Sequence, residues 1–261
     1  MDSIYFTTVK IDVYHKSKYL WTGTGFFYNS GKKKYIVTNK HILDKEKKRW
    51  FRGGGFNTPS KVVVKIHGSH TDLLKHTIWE IQLRDDKRNF WHSHSKIDCD
   101  VALIPLDEKT LIGENLKTFI PYFSPRLTFI SEPLINTFDI NSFAMLAVLG
   151  YPLAFHDATN NLPIGRTASL ATPYNVDFNG KPCFLVDGRL FEGMSGSPVV
   201  CTPHNLFVQG GKPEGQRLLG IFSEQIISNK QPLQLHVVWH ARLIKEIADK
   251  VEEQEKYQDS V

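Results

Sequence analysis

The segment Gly193-Met194-Ser195-Gly196-Ser197-Pro198 sets a serine among small residues, just ahead of the β-branched pair Val199-Val200. That pattern describes a tight turn leading into a strand. Glycine at 193 admits backbone conformations that other residues resist. Such a turn can aim the N–H groups of Gly193 and Ser195 into one space, as an oxyanion hole requires, and one such donor contributes about 3 kcal/mol to a transition state. A serine hydroxyl is a weak nucleophile and needs an adjacent base. His41, in Thr38-Asn39-Lys40-His41, stands just past an apolar run and supplies an imidazole. Asp100 directly precedes the apolar run Val101-Ala102-Leu103-Ile104 and supplies a carboxylate. Taken singly, these are a Gly/Ser/Pro turn, a surface histidine and a strand-edge acid. Taken together, they are the parts of a nucleophile, a general base and a group that orients the base. Asp98 is a rival for the last part, because residues two apart on an extended strand face the same side.

The elements that must position these groups read as short strands. Alternating or β-branched runs occur at 4–14, 19–28, 35–38, 62–66, 77–83, 101–106, 143–149, 183–186, 198–201 and 218–222. Gly, Pro and Asn turns separate them, which argues for barrels or sandwiches rather than βαβ units. One helix is expected from 239 to about 256, with apolar residues at Ala241, Leu243, Ile244, Ile247, Ala248 and Val251. Residues 107–141, broken by Pro121 and Pro125, read as a connection between two lobes. The organisation that follows is a first β-lobe over 1–115 with His41 and Asp100, and a linker over 116–140. A second β-lobe over 141–235 carries Ser195, and a helix with its tail covers 236–261.

Composition narrows the setting. With 261 residues there is enough chain for a bilobed core. The net charge of +5 is mild for this size and calls for no nucleic acid. The run Lys45–Arg52, with Trp50 and Phe51, reads as a solvated loop. No apolar run reaches the ~20 residues of a membrane helix, and the first residues lack a secretory pattern. Three cysteines, Cys99, Cys183 and Cys201, make no disulfide framework, and reduced thiols suit a cytoplasmic protein; Cys99 and Cys183 read as small buried residues. Gly53-Gly54-Gly55 lacks the following Lys-Ser/Thr of a phosphate loop. The histidines at 67, 70, 76, 92 and 94 match no standard zinc spacing, so no metal and no cofactor is expected.

The ordered set Gly23-Thr24-Gly25-Phe26-Phe27, Thr38-Asn39-Lys40-His41, Asp100-Val101-Ala102-Leu103, Gly193-Met194-Ser195-Gly196-Ser197-Pro198 and Gly220-Ile221-Phe222-Ser223 resembles the trypsin-like (chymotrypsin-fold) serine peptidases, in particular the bacterial branch without disulfides. The landmarks span most of the chain. The order His, Asp, Ser separates this pattern from subtilisins and α/β-hydrolases. The resemblance implies an all-β fold of two six-stranded antiparallel β-barrels with a C-terminal α-helix. It also implies a serine endopeptidase acting through an acyl-enzyme, with roles taken from the family's own template. Ser195 would attack the carbonyl, His41 would carry the proton and Asp100 would orient His41. Asp100 is preferred over Asp98 because the family's acid abuts the apolar run. Gly193 and Ser195 would form the oxyanion hole, and Ser223 would support Asp100. Strand 220–223 would pair with an extended protein or peptide substrate.

Three departures qualify the resemblance. No cysteine follows His41. Met194 stands where secreted digestive members carry an aspartate that pairs with a new N-terminus, so this chain reads as non-zymogenic. Phe222 stands where glutamyl endopeptidases carry a histidine. The specificity pocket is expected around Arg189, Leu190, Phe191, Glu192, Phe222, Ser223, Glu224 and Gln225. Leu190 and Phe222 motivate an apolar preference. A regulatory protein partner is a further expectation, with no membrane partner. The alternative function is a catalytically silent scaffold that binds peptide or partner protein.

Overall fold

Along residues 8–15 every second side chain turns inward, and Val9, Ile11 and Val13 share one buried cluster with Val62, Val64 and Ile66. That period of two makes these segments half-buried strands. The computed structural model describes residues 2–44, 58–106, 111–112, 118–128, 140, 143–201 and 216–258.

The double β-lobe architecture is present. The first lobe contains β1 (Thr8–His15), β2 (Lys18–Asn29), β3 (Lys34–Thr38), β4 (Lys61–His67), β5 (His76–Gln82), β6 (His92–Ser93), β7 (Ala102–Pro105) and β8 (Leu111–Ile112). They hydrogen-bond in the order β6-β7-β3-β2-β1-β4-β5-β8. The two-residue strands β6 and β8 are edge additions to six longer strands. The sheet wraps one core, to which Ile11, Phe27, Ile36, Val64, Ile81 and Ile104 all contribute. The second lobe contains β9 (Met145–Gly150), β10 (Ile164–Leu170), β11 (Cys183–Asp187), β12 (Pro198–Cys201), β13 (Leu218–Ser228) and β14 (Gln231–His240). These six close into a barrel in the order β10-β11-β14-β13-β12-β9.

A third apolar cluster lies between the lobes. The outer faces of the first lobe contribute Phe26, Tyr28, Tyr35 and Leu103, and the barrel contributes Leu149, Val200, Ile221 and Trp239. One face of a long helix (Arg242–Gln258) completes it with Leu243, Ile244, Ile247, Ala248 and Val251. Spacings of three and four place those residues on one stripe.

Several boundaries differ from the sequence reading. Residues 4–7 form a helical turn, α1 (Ile4–Thr7), before β1 begins. The Ser3 carbonyl accepts from the N–H groups of Phe6 and Thr7, and Phe6 docks edge-on against His67 and Phe119. Local β propensity yields there to docking. The long helix starts at Arg242 because β14 claims Trp239 and His240 through pairing with Cys183 and Gly220. It is numbered α4 here, after α2 (Lys40–Leu43) and α3 (Pro125–Thr128). The interval read as a linker holds β8 and α3 among its described residues. Strands β10 and β14 were not legible as apolar runs. The basic run Lys45–Arg52 and Gly53-Gly54-Gly55 lie outside the described residues.

Candidate active site

Strand register brings His41 and Asp100 together. β3 pairs antiparallel with β7, and Thr38 faces Ala102. The chain leaving β3 therefore runs beside the chain entering β7. Residue 41, in the short helix α2, meets residue 100 at that junction. The Asn39 amide donates to the Asp100 carbonyl at 2.6 Å. The His41 backbone N–H donates to Asp100 Oδ1 at 2.9 Å, and His41 Nδ1 lies 2.6 Å from Asp100 Oδ2. The same Oδ2 accepts the Ser223 hydroxyl at 2.6 Å. All three groups on this carboxylate are donors, as suits an ionised acid. That network assigns the His41 proton to Nδ1 and leaves a lone pair on Nε2. Among the described residues Nε2 has no partner, and the imidazole is 36% exposed, so its free edge is open to solvent. Asp98 is exposed and does not contact His41. Asp100 alone of the two acids reaches the imidazole.

Ser195 sits on a turn of unusual backbone geometry. Gly193 has φ of 87° and Gly196 has φ of 89°, both in the left-handed region. A Cβ at 193 would lie 2.4 Å from the Tyr151 carbonyl oxygen. Only glycine fits there without strain. The Met194 N–H bonds back to the Phe191 carbonyl at 3.2 Å, closing the turn. The Glu192 carbonyl accepts from Leu153 N–H at 2.6 Å. A trans peptide points its N–H opposite its C=O. The Gly193 N–H is thus turned away from residue 153. Neither the Gly193 nor the Ser195 N–H has an acceptor among the described residues.

The Ser195 hydroxyl donates to the Ser223 carbonyl at 2.9 Å and makes no hydrogen bond to His41. Ser223 therefore touches both halves of the site, Ser195 through its carbonyl and Asp100 through its hydroxyl.

Proteases of known structure share this arrangement of lobes. An HtrA-type protease, AlgW, solved with a tripeptide superposes with a TM-score of 0.54 at 11% identity, over 95% of this chain and 60% of its own. The serine endoprotease from Yersinia pestis superposes with a TM-score of 0.55 at 14% identity, over 94% of this chain and 62% of its own. The Rv3671c protease in its inactive form gives 0.50 at 18% identity, over 95% and 89%. The fold is that of the trypsin-like serine proteases. This chain spans about three-fifths of the length of the first two proteins. No protein-family model matches the sequence, and no curated protein matches it significantly.

Within this protease fold, the residues read as the specificity pocket divide by burial. Leu190 and Phe222 are buried in the barrel core with Met194. Phe191, Arg189, Glu192 and Glu224 are exposed, and Arg166 stacks its guanidinium on the Phe191 ring at 5.2 Å. Buried His236 links the two sides, with Nε2 2.8 Å from the Gly188 carbonyl and its ring 5.4 Å from Phe222. Desolvation holds its pKa below the usual histidine value. The histidines weighed for zinc do not gather. His67 and His76 stack across β4 and β5 at 5.0 Å, whereas His94 faces Glu246 on α4. Among the described residues no three potential metal ligands converge.

The three cysteines are free and buried. Burial pushes the Cys99 thiol up to about 11, so it stays protonated near neutrality. Sequence reasoning quoted Thr24 and Asn39 within motifs but gave them no role. Leu153 carried no signal, since nothing about a leucine announces φ of 51°.

Proposed function

We propose that this chain is a serine endopeptidase that cleaves peptide bonds through an acyl-enzyme, with Ser195 as nucleophile, His41 as general base and Asp100 as orienting acid. The observation that carries this reading is the unbroken run of contacts from His41 through Asp100 and Ser223 to Ser195. Residues distant in sequence converge on it, beside two backbone N–H groups with free hydrogens. In the reaction the Ser195 hydroxyl leaves the Ser223 carbonyl and gives its proton to His41 Nε2 as oxygen attacks the substrate carbonyl. His41, now a cation held by Asp100, returns the proton to the leaving amine. Water then repeats the sequence on the acyl-enzyme. The oxyanion formed in each half sits against the N–H groups of Gly193 and Ser195. Peptide or protein is the substrate class, in keeping with the tripeptide bound by the HtrA-type relative in fold.

The resting direction of the Ser195 hydroxyl, toward Ser223 rather than His41, favours a second reading, a silent scaffold that binds peptide. Labelling with a fluorophosphonate separates the two. Wild-type protein is expected to become modified at Ser195, with Ser195→Ala and His41→Ala unreactive. Unmodified wild type, or equal modification of wild type and Ser195→Ala, refutes the peptidase.

A further inference from the structure

The turn at 192–196 closes on itself through Met194, and its Glu192, Gly193 and Ser195 carbonyls are held from outside it. Glycine at 193 has little intrinsic preference for one backbone state. Met194 is fully buried among apolar side chains and offers no polar anchor. Leu153 N–H holds the Glu192 carbonyl and the Phe222 carbonyl holds the Gly196 N–H, and the Gly193 and Ser195 carbonyls between are held by Thr24, on β2 of the lobe that carries His41. Its hydroxyl donates to the Gly193 carbonyl at 2.7 Å, and its N–H donates to the Ser195 carbonyl at 2.9 Å. Its Oγ1 also accepts the Tyr151 N–H at 3.2 Å, which ties the 151–154 segment to the same point. The Thr24 carbonyl is held in turn by the Thr38 hydroxyl at 2.7 Å. Thr24 is completely buried, and Gly196 packs so closely that a Cβ there would lie 2.0 Å from the Thr24 carbonyl oxygen.

We propose that Thr24 is a positioning residue for the oxyanion-binding turn, its hydroxyl fixing the 193–194 peptide so that the Gly193 and Ser195 N–H groups face the reacting carbonyl. The proposal rests on the reading of Ser195 as nucleophile. The 193–194 peptide carries neither donor but joins the two planes that do. The Thr24 hydroxyl holds its carbonyl and the Thr24 N–H holds the Ser195 carbonyl, so the plane bearing the Ser195 N–H is bounded by a fixed peptide on each side, and the plane bearing the Gly193 N–H is bounded by the first of them. The same residue sits three strand positions before Phe27 and within two strand pairings of β7, so it also sets the nucleophile turn relative to the lobe that presents His41 and Asp100.

The test uses four purified proteins, wild type, Thr24→Val, Thr24→Ala and Thr24→Ser, with melting curves to confirm folding. Fluorophosphonate labelling gives a maximal rate and a half-saturating concentration for each. Loss of the hydroxyl in Thr24→Val and Thr24→Ala is expected to lower the maximal rate by about 10²-fold, the scale of a misplaced or missing oxyanion donor, with half-saturation little changed. Thr24→Ser keeps the hydroxyl and is expected to stay within about threefold of wild type. Thr24→Ser and Thr24→Ala both lack the methyl, so their ratio reads the hydroxyl even if Thr24→Val fails to fold. Equal rates for Ser and Ala, or a loss seen only in half-saturation, overturn the proposal while leaving the peptidase standing. A wild type that does not label overturns both.

Discussion

The two halves of the candidate site are held by different means. His41 and Asp100 lie where two neighbouring strands run out of one sheet, and their meeting follows from a single register, Thr38 opposite Ala102. The turn bearing Ser195 lies in the other lobe, and register fixes only its far end, where Gly196 and Ser197 bond to Phe222 ahead of the Pro198–Ile221 pair. Its carbonyls are held by Thr24 from the other lobe and by Leu153 from a loop in which Leu153 and Ala154 both adopt positive φ. The His41–Asp100 pair is thus set by its own sheet, with one further hydrogen bond from Ser223 of the other lobe, and the Ser195 turn is assembled from several distant contributors. Damage to the first half should be a matter of lost chemistry, and damage to the second a matter of lost shape.

The sharpest way to break this contrast is Asp100→Asn. The exchange preserves size and most contacts but removes the charge that orients His41. A fall in casein turnover on the order of 10⁴-fold with an unchanged melting temperature is expected, the scale seen for the equivalent change in the family's template. A large drop in melting temperature would show that the acid–base half is held by shape as well. Gly193→Ala attacks the other half. The added Cβ meets the Tyr151 carbonyl at 2.4 Å and the residue must keep φ of 87°. Turnover is expected to fall about 10²- to 10³-fold through the oxyanion donors. Here, unlike Asp100→Asn, melting temperature should fall too, and an unaltered melt would remove the distinction.

A third measurement looks for pH-dependent stability that arises away from the site. His240 is buried in the barrel against the rings of Tyr174 and Phe184. Desolvation, with nearby Arg242, pushes its pKa down to about 4, against the partial counter-effect of Asp177. The unfolded chain takes up that proton near ~6.5, the folded one only near the lowered value, so stability is present above ~6.5 and is lost as pH falls through that window. At pH ~5 the loss from this residue is about 2 kcal/mol. The melting temperature of His240→Phe should therefore decline less than that of wild type between pH ~7 and pH ~5. Equal declines would exclude His240 as the source. The smallest effect concerns the loop. Leu153→Gly retains the N–H that holds Glu192 and relieves a left-handed leucine, so it should raise stability by about 1 kcal/mol, some 2–4 °C, with turnover unaltered. A lower melting temperature would mean that the leucine side chain supports the loop.

The same contrast explains what could be read from the residues alone. Strands with a clear period of two, such as β1 and β4, were legible because one face is buried and the other is not. His41 and Asp100 were legible because each abuts an apolar strand. Strand β10, with Gly165, Arg166, Thr167 and Ser169, shows no apolar run. It is a strand because β9 pairs along its whole length. The first part of β14 is polar for a related reason, since it extends with β13 as an exposed ribbon beyond the barrel. The Ser195 turn was visible as a motif, but its supports at Thr24, in the other lobe, and Leu153, in a loop of its own lobe, are contacts between residues far apart in sequence that no local pattern encodes.

The wedge formed by α4 has a consequence for biogenesis. Its leucine and isoleucine stripe fills the seam against which both lobes rest. Residues 242–258 are made well after the histidine, aspartate and serine have left the ribosome's catalytic centre. A nascent chain can hold every strand of both lobes and still lack the helix that packs between them, so the lobes gain that shared core only once this late segment has docked.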